Sequence, residues 1–175
     1  MELQEALGGA LGLEYKVRDH YAQCARQTKD PHGKKVFATM AREEQGHVDY
    51  LESRLAEWKA TGAVQEQELP TLLPTPAWLE GVAAKIAASA QVPSGSPGNP
   101  KLPELEFLKE ALALERSASA FYQSLVAYME PEHRPLFARF LDIEDGHVIL
   151  VQAEIDALVG HGHWFDFMEF NLENA

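Results

Sequence analysis

The chain is expected to be all-α: a four-helix bundle built from two duplicated hairpins, with a long crossover between the second and third helices. Three observations lead there. Four long segments have helical composition and are bounded by start and stop signals. The two pairs repeat one another, because Asp30-Pro31, Phe37-Ala38, Glu44, Gly46, His47 and Val48 recur 100 positions later as Glu130-Pro131, Phe137-Ala138, Glu144, Gly146, His147 and Val148. The stretch between the pairs, residues 61–102, differs in character and holds six of the ten prolines.

The first helix is expected over about 2–28. Leu7, Ala10, Leu11, Val17, Tyr21 and Ala25 form an apolar stripe at the helical period, and Glu14 lies within it. Asp30-Pro31 supplies an N-cap and a first-turn proline for a second helix over 31–60, which ends before Thr61-Gly62. The third helix is placed at 103–129, where Glu130-Pro131 interrupts it, and the fourth at 132–159, with Gly160 as the residue that stops it. Short loops make each pair antiparallel, whereas the long connection can travel the ~30–40 Å of a helix of roughly 20–27 residues. Inside that crossover Thr75-Pro76 can cap a short amphipathic helix with Trp78, Leu79, Val82 and Ile86 on one face, followed by a Pro/Gly/Ser-rich run at 93–100. A chain of 175 residues fits one domain, 1–175, and can bury a core without covalent staples.

Composition removes several classes of function. A single cysteine, Cys24, cannot form an internal bridge, and no Cys-x-x-Cys pair exists to hold a thiolate metal centre. A reducing cytoplasm is the simplest address. No basic leader, lipidation signal or apolar run of membrane-spanning length is visible, so neither export nor a membrane span is expected. The net charge of −12 works against long-range attraction to nucleic acid or anionic lipid.

Chemistry concentrates in the repeat. Each half offers a lone Glu with a Tyr seven residues on and then a Glu-x-x-His: Glu14, Tyr21, Glu44 and His47 in the first, Glu115, Tyr122, Glu144 and His147 in the second. Residues three apart share a helix face, so each Glu-x-x-His points two donors one way. Standing alone such a pair is ordinarily solvated. Register decides otherwise, because Glu14 falls in line with Leu7, Leu11 and Tyr21, and Glu115 with Leu108, Leu112 and Tyr122, so both point to the core. Four carboxylates in a bundle core are prohibitive without compensation, and two divalent cations cancel four negative charges. Mixed oxygen and nitrogen donors suit Fe or Mn better than Ca²⁺ or Mg²⁺; Zn can also occupy such a set.

This paired motif, with a Tyr after each lone Glu, resembles the rubrerythrin family of ferritin-like di-iron carboxylate proteins over roughly residues 2–60 and 103–160. The resemblance implies a ferritin-like bundle holding two iron ions, with Mn or Zn as other occupants. It implies Glu14 and Glu115 as terminal ligands, Glu44 and Glu144 as bridges, and His47 and His147 on one metal each. Tyr21 and Tyr122 would hold ligand carboxylates in place through their hydroxyls. The implied activity is that of a non-haem redox enzyme that reduces hydrogen peroxide or activates O₂, with electrons from an external donor protein. Two departures limit it. Leu112 and Ala118 stand near Glu115 where rubrerythrins carry a further Glu, and the four-cysteine rubredoxin domain is absent. Redox-linked ligand exchange and a built-in electron donor are therefore in question. Two alternatives stay open: a ferritin-like ferroxidase in iron handling, although the Pro-rich crossover offers no obvious cage-building surface, and a structural metal bundle acting through a partner.

Weaker features complete the reading. Gly46 and Gly146 sit mid-helix, where each costs ~1 kcal/mol relative to Ala, which favours close helix packing over room for a ligand. His161 and His163 are read as surface residues ahead of a second metal site, and His20, His32 and His133 as exposed. The C-terminal segment 164–175, with Trp164, Phe165, Phe167, Met168 and Phe170, is too apolar to stand in water. It is expected to dock on its own bundle or on a second copy, favouring a homodimer.

Overall fold

The structure, a computed structural model, describes residues 1–65, 67–90 and 103–165. Those residues form five helices and no strand: α1 (Leu3–Gln27), α2 (Pro31–Thr61), α3 (Pro76–Ala90), α4 (Pro103–Tyr128) and α5 (Arg134–His161). The all-α expectation holds. Asp30 Oδ1 accepts the Gly33 N–H at 2.9 Å ahead of Pro31, so one orphan donor of the first turn of α2 is satisfied. Gly62, at φ 72°, closes α2 by donating to Trp58 O at 2.8 Å.

The second copy of this hairpin departs from the first at both ends of α5. Glu130-Pro131 does not start the helix as Asp30-Pro31 does. Residues 131–133 make a turn, His133 N–H bonds Glu130 O at 2.9 Å, and α5 begins only at Arg134. Pro135 is the reason: in a helix opened at Pro131 it would sit beyond the first turn, where its missing N–H leaves a carbonyl unpaired, whereas beside Arg134 it falls among donors that lack partners anyway. Arg134 Nε then donates to Met129 O at 2.8 Å, capping the end of α4. At the far end Gly160 remains helical, and Gly162, at φ 74°, is the residue that stops α5.

α1 lies against α2, α4 against α5 and α1 against α4, while α3 packs on α5. α2 meets α5 through rings, His47 and Tyr50 lying 5.4 and 5.8 Å from Phe140. The interior is divided. One apolar cluster contains Val17, Tyr21, Phe37, Met40, Leu108 and Leu150. The other contains Leu7, Leu51, Tyr122, Leu125, Phe137 and Phe140. On each of the four long helices the chain passes from one cluster to the other through a charged level: Glu14 on α1, Glu44 and His47 on α2, Glu115 on α4, Glu144 and His147 on α5.

The crossover is pinned to α2 at residues 65, 67, 71 and 72. Arg54 Nη1 donates to Gln65 O at 2.9 Å and Tyr50 Oη to Gln67 O at 3.2 Å. Glu43 takes the Thr71 hydroxyl and the Leu72 N–H, the latter at 2.7 Å. In α3, Leu79 is buried with Trp78, Val82 and Ile86 packed beside it, the face expected for this short helix. The run 93–100 lies outside the described residues.

The C-terminal segment begins by docking on its own bundle. Phe165 is buried and its N–H donates to Glu154 Oε2 at 2.9 Å, while Trp164 stands edge-on to Phe37 at 5.5 Å between ring centres. Phe167, Met168 and Phe170 lie outside the described residues. Among the described residues no helix is long and apolar enough to cross a membrane.

Candidate metal centre

All six side chains singled out as ligands reach one buried level. Glu14, Glu44, His47, Glu115, Glu144 and His147 are each 0 % exposed. The two imidazoles stack, with ring centres 5.4 Å apart and planes 5° from parallel, and their Nδ1 atoms face the carboxylates. His47 Nδ1 lies 3.2 Å from Glu14 Oε2, 3.2 Å from Glu44 Oε2 and 3.5 Å from Glu144 Oε1. His147 Nδ1 lies 2.9 Å from Glu44 Oε1, 3.4 Å from Glu115 Oε2 and 3.7 Å from Glu144 Oε2. Glu44 and Glu144 thus turn one oxygen toward each imidazole. Glu14 serves only the His47 side and Glu115 only the His147 side.

Helix register produces this arrangement. A Glu and a His three residues apart project together from α2 and again from α5, and the duplication sets the two pairs face to face. The tyrosines close the ends. Tyr21 on α1 donates its hydroxyl to Glu115 on α4, and Tyr122 on α4 donates to Glu14 on α1. Each tyrosine therefore holds the carboxylate of the other hairpin. Its own Glu, seven residues away, is ~10 Å off along the helix.

The electrostatics explain why this level is costly as bare protein. Burial pushes the Glu14 carboxyl up to about 7, with the charge of Glu44 adding to it and His47 opposing it. Burial and then the Glu14 charge drive Glu144 well above the carboxylate range. Glu44 goes the other way: burial would raise it, but His147 and His47 on either side hold it well below its ordinary value. The carboxylates in turn overcome burial at the imidazoles, lifting His47 to about 10 and His147 well above its usual value. Tyr21 and Tyr122 stay protonated because burial, followed by the carboxylate each one faces, raises them well above the phenol range.

Hydrogen bonding does not account for the donors. Both oxygens of Glu44 and of Glu144, Glu115 Oε2 and His147 Nδ1 are buried without an aligned hydrogen-bond partner, although the imidazoles stand at ion-pair distance. Buried polar atoms are almost always paired. Here the unpaired lone pairs converge, with Glu14, Glu44, His47 and Glu144 each offering an atom within 4.8 Å of the others, and Glu44, Glu115 and His147 doing the same. Such a set of hard oxygen and borderline nitrogen donors fits first-row divalent cations.

Several expectations need correction. Gly46 is not a packing glycine: a Cβ there would meet nothing within 4 Å. Gly146 is buried and lines a cavity of about 80 Å³ between crossover residues Thr71 and Leu73 and α5 residues Arg139, Asp142 and Ile143. His20 is only 14 % exposed, its Nε2 3.0 Å from Phe107 O, and His133 is half-buried against Trp58; of the three histidines expected at the surface only His32 is exposed. His161 and His163 come within 5.6 Å of each other, but no further donor among the described residues joins them in a three-ligand group. Cys24 is buried, and burial together with the Glu110 charge raises its thiol to about 11, so it is a core residue.

Sequence reasoning missed Glu43. It is buried, anchored by Thr71 and Leu72, and its Oε1 lies 3.9 Å from His47 Nε2. The only signal was the doublet Glu43-Glu44, which the second half does not repeat because Ile143 stands there. No protein-family model, curated protein or solved structure matches this chain.

Proposed function

We propose that this chain is a ferritin-like, rubrerythrin-related redox protein that holds two iron ions, or Mn in their place, and reduces hydrogen peroxide or activates O₂. The observation that carries the proposal is the pair of matched half-sites: one terminal carboxylate and one imidazole on each side, two carboxylates shared between them, and lone pairs with no hydrogen-bond donor to satisfy them. When bound, two such metals supply paired electrons to an O–O bond and stabilise the charge that develops on oxygen. The protein's part is to fix the ligands and exclude bulk water. Tyr21 and Tyr122 orient the terminal carboxylates, and the two apolar clusters seal the level from above and below. The cavity beside Gly146 is large enough for a peroxide-sized molecule, and two of its lining residues, Ile143 and Gly146, neighbour Glu144 and His147 in sequence. Electrons come from a separate protein in this reading.

Metal content with oxidation state tests the assignment first: two redox-active ions per chain are expected, and none or one overturns it. Stopped-flow mixing of the reduced protein then separates the activities. Faster oxidation by hydrogen peroxide than by O₂ supports peroxide reduction, whereas a preference for O₂ with accumulating ferric mineral moves the reading to iron handling. The homodimer now rests on Phe167, Met168 and Phe170, because Trp164 and Phe165 are taken up by their own bundle. Light scattering that finds a monomer at high concentration removes it.

A further inference from the structure

The repeat makes the two half-sites near-equivalent, but behind the imidazoles the equivalence breaks. Glu43 is 3 % exposed, and the Thr71 hydroxyl and the Leu72 N–H hold its carboxylate in one place. Its Oε1 is 3.9 Å from His47 Nε2, on the side of the ring away from Glu14 and Glu44. One hundred residues on, the matching position is Ile143, buried and apolar. A histidine that gives its Nδ1 lone pair to a cation must carry its proton on Nε2, and a carboxylate facing that N–H fixes the tautomer, orients the ring and makes the nitrogen a stronger donor. Glu43 offers this to His47. It comes within 4.8 Å of a His147 nitrogen, a looser approach than the 3.9 Å to His47; neither Nε2 has an aligned hydrogen-bond partner, so the distance to Glu43 is what distinguishes the two rings.

We infer that Glu43 is a positioning residue for His47 that renders the two metal positions inequivalent, so that a divalent cation fills the His47 side first. The inference rests on the two-metal reading above. It assigns the crossover a role beyond connection: residues 71–72 hold Glu43, and Glu43 aligns His47, so the connection between the hairpins sets the order of filling. On the metal side the tyrosines are mutual counterparts, Tyr21 holding Glu115 and Tyr122 holding Glu14.

The test is a Co²⁺ titration of the metal-free, full-length protein by calorimetry, with the visible absorption of each equivalent recorded. Wild type should bind two equivalents in two resolved steps with distinct spectra. Glu43→Gln, which keeps the shape and removes the charge, and Glu43→Ala should weaken the first step 10- to 100-fold, leave the second within about twofold, and change only the first spectrum. If Glu43→Ala fails to fold by circular dichroism, Glu43→Gln decides. Two indistinguishable wild-type steps, or variants that leave both affinities unchanged or weaken both equally, overturn the inference while the two-metal reading stands. A wild-type chain that takes up fewer than two Co²⁺ overturns both.

Discussion

Replacing Glu144 with Met should stabilise the metal-free protein and remove most of what metal adds. Glu144 is 0 % exposed, and burial and the Glu14 charge push its carboxyl well above the ordinary range, which favours its neutral form in the metal-free protein. In that form it offers the imidazoles no charge, and neither oxygen has an aligned hydrogen-bond partner. A buried polar group in that condition costs ~1–3 kcal/mol. Met has similar length and no polar atom to leave unpaired, and its flexible chain fills irregular space. His147 keeps Glu44 at 2.9 Å and Glu115 at 3.4 Å, so the substitution does not strand it. The variant in chelator should therefore melt above wild type by that ~1–3 kcal/mol, about 2–4 °C per kcal/mol for a chain of this size. With Mn²⁺ at several hundred times its dissociation constant, wild type gains ~3–4 kcal/mol and the variant little of it. The order of melting temperatures should reverse. Differential scanning calorimetry of both proteins in EDTA and in Mn²⁺ measures this, and a variant that melts below wild type in EDTA would refute the claim that Glu144 is an unsatisfied group kept for metal.

Four further outcomes follow from the structure. The melting gap between metal-loaded and chelated wild type should widen as pH rises from about 6 to 9. Glu14 at about 7 and His47 at about 10 both lie above their unfolded values of 4.5 and 6.5, so their contribution to the metal-free fold is full below those values and lost as pH climbs through 7 and then 10. The lowered Glu44 acts only in acid, outside this window. Metal binding should also release protons, because Glu14, Glu144, His47 and His147 are all raised in the metal-free protein, and calorimetry in buffers of different ionisation enthalpy detects the release; no release contradicts the raised imidazoles. Glu44→Ala should abolish binding on both sides, because its oxygens face both histidines, whereas Glu14→Ala should spare the His147 side; equal losses in equilibrium dialysis would argue against a bridging role. Gly33→Ala should destabilise by ~1–3 kcal/mol in urea. Its Cβ would fall 2.2 Å from Trp164 Cζ2, so an unchanged midpoint means that Trp164 does not seat there.

What could be read from the chain, and what could not, divides along the range of the forces involved. The burial of Glu14 and Glu115 was legible because helix register alone places them in line with Leu7, Leu11, Leu108 and Leu112, all buried but for the half-buried Leu11. Register also gave the convergence of Glu44 with His47 and of Glu144 with His147. It could not give the exchange by which Tyr21 holds Glu115 and Tyr122 holds Glu14, since that depends on how far α1 stands from α4. The start of α5 was misplaced by trusting the repeat over Pro135, a residue the first half lacks. Its end was misplaced because Gly160 and Gly162 carry the same propensity, and only the bond from Gly162 to Leu158 O distinguishes them.

Glu43 shows the same limit with more consequence. Adjacent residues on a helix point about 100° apart, so a carboxylate beside Glu44 must leave the cluster that Glu44 joins. Read alone it looks like a solvated charge. It is buried because the crossover returns along α2 and brings the Thr71 hydroxyl and the Leu72 N–H to meet it, a contact spanning 28 and 29 residues that no local pattern encodes. The duplication places the metal-ligand candidates by symmetry, while the crossover has no counterpart in the repeat, and its residues 71 and 72 hold a carboxylate on α2 only. Any difference between the half-sites must therefore enter through elements outside the repeat or through positions where the two halves diverge. Glu43 with Thr71 is both at once, which makes the crossover the place to look for what tunes the centre.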